Sequence, residues 1–241
     1  LFIQSNFGIV TRMGYWLMRR PRAYAPLFLT IPREEQLGQA IDIIRELRLD
    51  GILRGVPVIQ NTLPPSTHFP ELLGQFRGGD ALLPDEEVQR IADESGVGRW
   101  GVRTAVWGDG PVVDYQVTRI TEAWSAIDGS NVMHHRTFAA DEWHEITEFT
   151  DKVQAGIPTL DMLGTIPDGI GHIGFSPVVP LLGTEVTKVV ELMKHAIETR
   201  GGFNFTAGLI PINDRSCIIV TGANMITTDP ESVTRAYDLV K

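Results

Sequence analysis

The sequence contains a single cysteine, Cys217, and this scarcity excludes two ways of stabilising a protein. One thiol cannot form an internal disulfide, and it cannot supply the paired thiolates of a structural zinc site. Cys217 lies in the apolar stretch SCIIV, so we interpret it as a small buried residue, with a nucleophile as the alternative. With 241 residues, of which 43% are hydrophobic, the chain is long enough to be held together by a hydrophobic core.

Long apolar runs and an excess of basic residues are also missing. No stretch reaches the roughly 18 uncharged residues that a membrane-spanning helix requires. Acidic residues outnumber basic ones by 30 to 21, which gives a formal net charge of −9. An acidic surface repels nucleic acid and anionic lipid, so we expect neither nucleic acid nor a membrane as a partner. No signal peptide is visible, and the compartment stays open between the cytoplasm, which we favour, and the periplasm.

The sequence lacks three common motifs of phosphate, metal and hydrolase chemistry, since it contains no P-loop, HExxH or GxSxG. Most of its six histidines are interpreted as surface or capping residues, namely His68, His134, His135, His144 and His195. Adjacent histidines on a strand point to opposite faces, so the 134–135 pair cannot readily chelate one metal. We therefore predict no metal site.

His172 stands in a different setting, PDGIGHIGFSP, in which a glycine-rich segment enters a strand. Gly171 and Gly174 lie on either side of it and lack side chains, which lets a planar ligand approach the backbone closely. The residues leave two interpretations open: a structural histidine, which is the commoner case, and a ligand contact.

Hydrophobic periodicity predicts a mixture of helices and strands, so the fold class is α+β. The predicted strands cover residues 7–18, 27–32, 56–63, 99–108, 132–138, 172–179, 203–212 and 216–222. The predicted helices cover residues 33–49, 84–96, 111–127, 141–154, 184–200 and 230–241. Asp85 and Asp229 are the predicted N-caps of the second and the last helix. Residues 64–83, rich in Pro and Gly, form the longest predicted loop.

The last predicted elements follow the order strand, helix, strand, strand, helix. A split β-α-β motif requires one further strand after its last helix. We therefore expect the sequence to continue beyond Lys241. The start at Leu1, directly before a turn and a strand, likewise leads us to expect residues before it.

Several stretches together resemble the vanillyl-alcohol oxidase and p-cresol methylhydroxylase family of FAD-linked oxidoreductases. They are QSNFGIVTRMGYWLM, AIDIIRELRL with VPVIQN, GRWGVRTAVWG, AGIPT and HIGFSPV, which occur in the family's order and span nearly the whole chain. The resemblance implies that residues 1–22 are the terminal strands of an FAD-binding domain. Residues 23–241 would then be a cap domain, C-terminally incomplete, with a largely antiparallel sheet of ferredoxin-like split β-α-β units flanked by helices.

The resemblance also implies roles for individual residues. The turn at the start of the chain matches a stretch whose backbone lies along the FAD. Peptide N–H groups at such a turn can approach phosphate oxygens. The cofactor-binding residues of this turn would be Ser5, Asn6, Gly8, Ile9 and Val10. His172 matches the position that, in the oxidase branch, is bonded covalently to the flavin 8-methyl carbon. In the cytochrome-coupled branch a tyrosine makes this bond, and no residue here clearly matches it.

Gly174, Asn213 and Arg215 are the residues that the resemblance implies for the substrate pocket. Gly174 takes the place of a bulky aromatic residue of some relatives, and residues 213–215 replace a His-His-apolar run. A hairpin turn shifted by a residue or two is the alternative explanation of the second difference. The catalytic Tyr-Arg pair and the acid-base aspartate of the family would lie outside this sequence.

The implied function is part of a flavoprotein that oxidises para-substituted phenols of the vanillyl alcohol, eugenol or 4-alkylphenol type by benzylic hydride transfer to FAD. Its partners would be the phenol, the remainder of the FAD-binding domain, a second copy of the chain and, in one branch, a cytochrome. The alternatives are a non-catalytic cap-like binding or assembly module and an FAD enzyme that oxidises 2-hydroxy acids. GRWGVRTAVWG and HIGFSP disfavour the latter.

Overall fold

A computed structural model describes residues 6–63, 82–161 and 168–241 of the chain. Its strands are β1 (Ala23–Ile31), β2 (Val58–Asn61), β3 (Trp100–Gly108), β4 (Val132–Met133), β5 (Phe138–Ala139), β6 (Ile170–Phe175), β7 (Val178–Pro180), β8 (Ala207–Pro211) and β9 (Ser216–Ile226). Its α-helices are α1 (Leu37–Leu49), α2 (Asp85–Ser95), α3 (Gly110–Trp124), α4 (Phe149–Gln154), α5 (Gly183–His195) and α6 (Pro230–Leu239). Short 3-10 helices cover Glu34–Gln36 and Trp143–Glu145, and a π-helical turn, Ala196–Arg200, prolongs α5.

The described strands form one nine-stranded antiparallel sheet in the order β4-β1-β3-β2-β8-β9-β6. β5 also pairs with β1, and β7 pairs with β9. The first half, with the order β4-β1-β3-β2, is a ferredoxin-like split β-α-β unit. The second half, β7-α5-β8-β9-α6, repeats the order of strands and helices of the first, and the two halves join where β2 pairs with β8. The predicted fold class is confirmed.

The main hydrophobic core lies between this sheet and the helices α1, α3 and α5. Alternate residues of β1, from Ala23 to Ile31, point into it, as the two-residue period of a strand requires. Trp100 and Trp124 are its largest fully buried side chains. The indole N–H of Trp124 donates a hydrogen bond of 3.0 Å to the carbonyl of Thr30, so the buried polar group is satisfied.

Among the described residues, the opposite face of the sheet is covered over the first half only. There a small cluster of Tyr24, Ala105, Ile146 and Ala155 is buried beneath the segment that contains α4. The Tyr24 hydroxyl donates to the carbonyl of Asp151 at 2.9 Å, and burial, with the Asp151 charge, raises the pKa of Tyr24. Over the second half, outward-facing residues of β9 stay exposed. This uncovered surface is where the candidate site lies.

Three predicted elements are wrong. Residues 7–18 form no strand, because no described strand pairs with them to complete a hydrogen-bond ladder. The predicted strand 132–138 is reduced to the two short strands β4 and β5. The predicted helix 141–154 is broken at Ile146, which turns inward and is buried in the Tyr24 cluster. Most of the predicted loop 64–83 lies outside the described residues.

The prediction that Asp85 caps α2 is also wrong, because the N-cap position belongs to Pro84. The Asp85 Oδ1 atom instead accepts hydrogen bonds of 2.7 Å from Arg99 and from Lys194. Partial burial would raise the pKa of Asp85, but these two cations outweigh it, and the pKa is lowered. Arg99 is itself buried, and its Nε donates to Glu34 at 2.7 Å, so Asp85 helps to satisfy a buried cation.

Replacing Asp85 by asparagine tests this assignment. Since asparagine caps helices as well as aspartate does, a cap would survive the change, whereas an ion pair would not. We expect the free energy of unfolding at pH 7, measured by urea denaturation, to fall by about 1 kcal/mol. A lowered folded-state pKa contributes stability above the unfolded pKa, so the difference should shrink as the pH falls below about 4. Glu86→Gln removes the same charge from the same helical turn and should lower the free energy of unfolding by less. Equal losses from the two variants would contradict the ion pair.

Candidate functional site

The uncovered part of the sheet presents His172 on β6, directly across from Asn224 on β9. Both side chains are exposed and point to the same face, because paired residues of antiparallel strands share a face. The His172 Nδ1 atom lies 3.0 Å from the Asn224 Oδ1 atom. The Asn224 amide nitrogen in turn donates to the Thr206 hydroxyl at 3.2 Å. A polar row therefore crosses three neighbouring segments of the chain.

The surface beside this row has no side chains, because Gly174 and Gly222 are paired there. A Cβ atom at Gly174 would lie 3.0 Å from the His172 Nε2 atom, and one at Gly222 only 2.0 Å from the carbonyl oxygen of Ile173. Gly222 therefore requires glycine, because its clash is with backbone, whereas a side chain at Gly174 would displace the His172 ring. The role suggested for Gly171 does not hold, since Gly171 points to the opposite face, against Met225 and Thr227. A flat surface is nevertheless present, formed by a glycine pair across the strands instead of glycines flanking His172.

Apolar side chains border this flat surface. Val220 and Ile226, which lie on the same face of β9 on either side of Gly222 and Asn224, are 37% and 38% exposed. Partly exposed aliphatic groups next to a strip without side chains suit a planar aromatic ligand, which would bury both its own surface and theirs. The imidazole of His172 stands at the edge of this surface.

The other residues predicted to bind the cofactor lie at the start of the chain. Asn6, Gly8, Ile9 and Val10 are exposed and belong to no helix or strand, and Ser5 lies outside the described residues. Within the chain the structure does not bring them into a defined site. Their contact with FAD stays a prediction.

Asn213 and Arg215 lie far from Gly174 along the sheet. They form the turn between β8 and β9, in which the Asn213 Oδ1 atom accepts hydrogen bonds of 2.8 Å from the backbone nitrogens of Arg215 and Ser216. Gly174 pairs with Gly222, six residues along β9 from Ser216, which corresponds to about 20 Å. This separation is farther than one phenol ring reaches. The place of Asn213 and Arg215 in the substrate pocket stays a prediction, and within this chain Asn213 stabilises the turn.

Sequence reasoning missed Asn224, Thr206 and Gly222. The predicted strand ended at Gly222, and its continuation through Asn224 was not predicted. The register that places them opposite His172 and Gly174 was not visible, because it depends on which strands pair.

Neither a metal cluster nor a membrane-spanning helix occurs in the part of the chain that the structure describes. Among residues 6–63, 82–161 and 168–241, no group of three His, Cys, Asp or Glu side chains could hold a metal ion. Within the same ranges, no helix is long and apolar enough to cross a membrane.

Comparison with known proteins finds relatives that match nearly the whole chain. The chain is 24% identical over 238 residues to the flavoprotein subunit of 4-cresol dehydrogenase (hydroxylating) from Pseudomonas putida. It superimposes, with a TM-score of 0.81 and 24% identity, on 4-ethylphenol oxidase from Gulosibacter chungangensis in complex with isoeugenol, covering 98% of this chain. The substrate-bound structure of p-cresol methylhydroxylase gives the same TM-score and identity over 99% of this chain.

The predicted family resemblance is confirmed. The fold is that of the matching parts of p-cresol methylhydroxylase and 4-ethylphenol oxidase. The chain spans about half the length of these relatives, with 45% of the curated sequence and 46% of each structure covered. No protein-family profile matches the chain.

A further relative differs in its chemistry. 1'-carboxy-chondrochloren decarboxylase from Chondromyces crocatus is 32% identical over 100 residues, which is 42% of this chain and 18% of the relative. Likeness of fold therefore does not specify the reaction, which has to be argued from the site.

Proposed function

We propose that the chain is part of a flavoprotein oxidoreductase that takes a hydride from the benzylic carbon of para-substituted phenols. In this proposal residues 1–22 belong to an FAD-binding domain, and residues 23–241 form the cap that covers the flavin. The observation that carries it is the exposed His172 beside the flat Gly174–Gly222 surface. The same surface occurs in a chain that resembles a 4-cresol dehydrogenase flavoprotein subunit over 98% of its length.

The residues of the site fit a flavin. The ring system is planar and largely apolar, and the strip at Gly174 and Gly222, bordered by Val220 and Ile226, offers a complementary surface. His172 adds an exposed nitrogen, Nε2, at the edge of this surface, which suits a covalent tether. Such a tether would hold the cofactor in place through turnover.

A bound flavin supplies the hydride acceptor, and the protein supplies position and exclusion of water. In this chain the sheet would orient the ring through the glycine strip, and the helices behind it would keep that strip rigid. Groups that stabilise the phenolate are proposed to lie outside this sequence. In this class of reactions, the oxidised phenol would then add water or lose a proton.

The proposed assembly follows from the same likeness. The remainder of the FAD-binding domain would complete the cofactor site, and the exposed apolar residues between Phe7 and Met18 would be covered by it. A second copy of the chain and a cytochrome are the further partners that we propose, since one relative is named as a flavoprotein subunit.

The proposal predicts that 4-alkylphenols reduce the cofactor. When 4-ethylphenol is added without oxygen to the full-length protein purified with its flavin, the absorbance band of the oxidised flavin should disappear. Phenol itself, which has no benzylic hydrogen, is the matched control and should leave the band unchanged, and so should a 2-hydroxy acid. Bleaching by the hydroxy acid alone, or a protein that binds no flavin at all, would overturn the proposal; the second result would favour a non-catalytic binding module.

The oxidant that takes electrons from the reduced flavin can be identified in the same experiment. After reduction, admission of air or addition of an oxidised cytochrome shows which of the two restores the absorbance band. Rapid recovery in air would assign an oxidase, whereas recovery only with the cytochrome would assign a dehydrogenase with a protein partner.

A further inference from the structure

We infer that Asn224 is a positioning residue that fixes both the orientation and the tautomer of His172. The inference deepens the proposed function and rests on it for its chemical consequence, the attachment of flavin. The contact of Asn224 with Thr206 and with His172 has one role. It presents the lone pair of the His172 Nε2 atom to the flat glycine surface.

One ring nitrogen of His172 faces Asn224. The Asn224 Oδ1 atom lies 3.0 Å from the His172 Nδ1 atom, and an amide oxygen only accepts hydrogen bonds. The Nδ1 atom must therefore carry the hydrogen of the neutral imidazole. The Nε2 atom is then the unprotonated nitrogen, and only it can act as a nucleophile.

The Asn224 amide makes a second contact, with Thr206. An asparagine that is free to rotate would offer its NH2 group to His172 as readily as its oxygen. Here the NH2 group donates to the Thr206 hydroxyl at 3.2 Å, and the Thr221 hydroxyl donates to the Thr206 carbonyl at 2.6 Å. With the amide nitrogen on the Thr206 hydroxyl, the amide oxygen faces His172 in this structure.

The space around Nε2 is kept free by the glycine pair. A Cβ atom at Gly174 would lie 3.0 Å from Nε2, tighter than ordinary van der Waals contact, and the paired residue Gly222 also lacks a side chain. Nε2 is therefore open toward the surface where a planar ligand fits. The imidazole is held on its Nδ1 side and accessible on its Nε2 side.

Attachment of the flavin conserves atoms and electrons. A bond forms between His172 Nε2 and the 8-methyl carbon of the flavin, and one C–H bond of that methyl group breaks, with its proton passing to solvent. Two electrons remain in the flavin ring, which is reduced. Dioxygen, or another two-electron acceptor of the same solution, then reoxidises it. Asn224 takes no part in these bonds and acts only by holding the Nδ1 hydrogen.

The tautomer can be measured without any flavin. In the flavin-free full-length protein labelled with 15N-histidine, the long-range 15N–1H couplings of His172, assigned with the His172→Ala variant, should show hydrogen on Nδ1. Asn224→Leu, which removes both polar groups at similar volume, should shift the pattern toward hydrogen on Nε2. Asn224→Asp keeps an acceptor opposite Nδ1 and should preserve the original pattern. Asn131→Leu makes the same change at an exposed asparagine outside the site and serves as the control.

The chemical consequence is measured separately, by adding FAD to the same proteins in air and following fluorescence that stays with the denatured polypeptide. Asn224→Leu should slow attachment about tenfold, the order of one lost hydrogen bond, while Asn224→Asp and Asn131→Leu stay near the wild-type rate. Unchanged couplings in Asn224→Leu, or hydrogen on Nε2 in the wild type, would overturn the inference. A wild type with the expected tautomer but no attached flavin would refute the covalent link alone and leave the role of Asn224 standing.

Discussion

Replacing His172 by alanine is expected to leave the full-length protein with a flavin that separates from the polypeptide on denaturation. His172 is exposed on β6 and offers a nitrogen at the edge of the Gly174–Gly222 surface. An alanine has no atom that could bond to the flavin. In a denaturing gel the fluorescence of the wild-type band should therefore fall to background in the variant, while the flavin appears in the soluble fraction.

His195→Ala is the matched control for this experiment. His195 lies at the end of α5, and its loss removes an imidazole without touching the uncovered sheet face. The band of this variant should keep its fluorescence. Fluorescence that remains on the His172→Ala polypeptide would show that another residue carries the flavin, and a dark wild-type band would show that no covalent link exists. Non-covalent flavin binding should survive in His172→Ala, because the glycine strip and its apolar border are intact.

The same variant should also oxidise phenols more slowly. A covalent bond to the ring raises the potential of a flavin and makes it a better hydride acceptor. Rapid mixing with 4-ethylphenol without oxygen would measure the rate of flavin reduction in the wild type and in His172→Ala. A lower rate at saturating phenol, with little change in the concentration that saturates, would place the effect on hydride transfer instead of binding.

Local features of the fold could be predicted where one helix face or one cap decides the outcome. The residues of α1 at helical spacing, Leu37, Ala40, Ile41, Ile44 and Leu47, are all buried, as their pattern predicted. Asp229 caps α6 by accepting a hydrogen bond of 3.0 Å from the Glu231 nitrogen, and Pro230 occupies the first helical position. These features depend on neighbours within a few residues, so the sequence contains the information directly.

Features that depend on distant partners could not be predicted. The Asp85 carboxylate resembles a cap in sequence, but Arg99 and Lys194 reach it from elsewhere in the fold. His172 was identified by a family resemblance, whereas its partner Asn224 required the register of β6 against β9. Residues 7–18 have the composition of a strand and yet form none, since a strand is completed only by the strand beside it. In each case the deciding interaction joins residues that are far apart in the chain.

The junction between the two halves of the fold also could not be predicted from the sequence. The sheet is continuous there through β2 and β8, and the two equivalent helices α1 and α5 pack against each other behind it. Their backbones meet at Gly38 and Gly183, and the Gly183 nitrogen donates to the Asp42 carboxylate at 2.9 Å. The positive end of the α5 helix dipole also stabilises a carboxylate at this position. The contact therefore both joins the halves and caps a helix.

Gly183→Ala should consequently destabilise the whole fold. A Cβ atom at this position would lie 2.3 Å from the Gly38 carbonyl oxygen and 2.7 Å from the Asp42 Oδ2 atom, and the first of these is backbone that cannot move alone. We expect a loss of about 3 kcal/mol in the free energy of unfolding, measured by urea denaturation of the full-length protein. Gly110→Ala, the same change at the first residue of α3 with no heavy atom within 4 Å, should stay within about 1 kcal/mol of wild type and on the stabilising side. Similar results for the two variants would mean that the helices can separate without cost, and that the β2–β8 pairing holds the halves together instead.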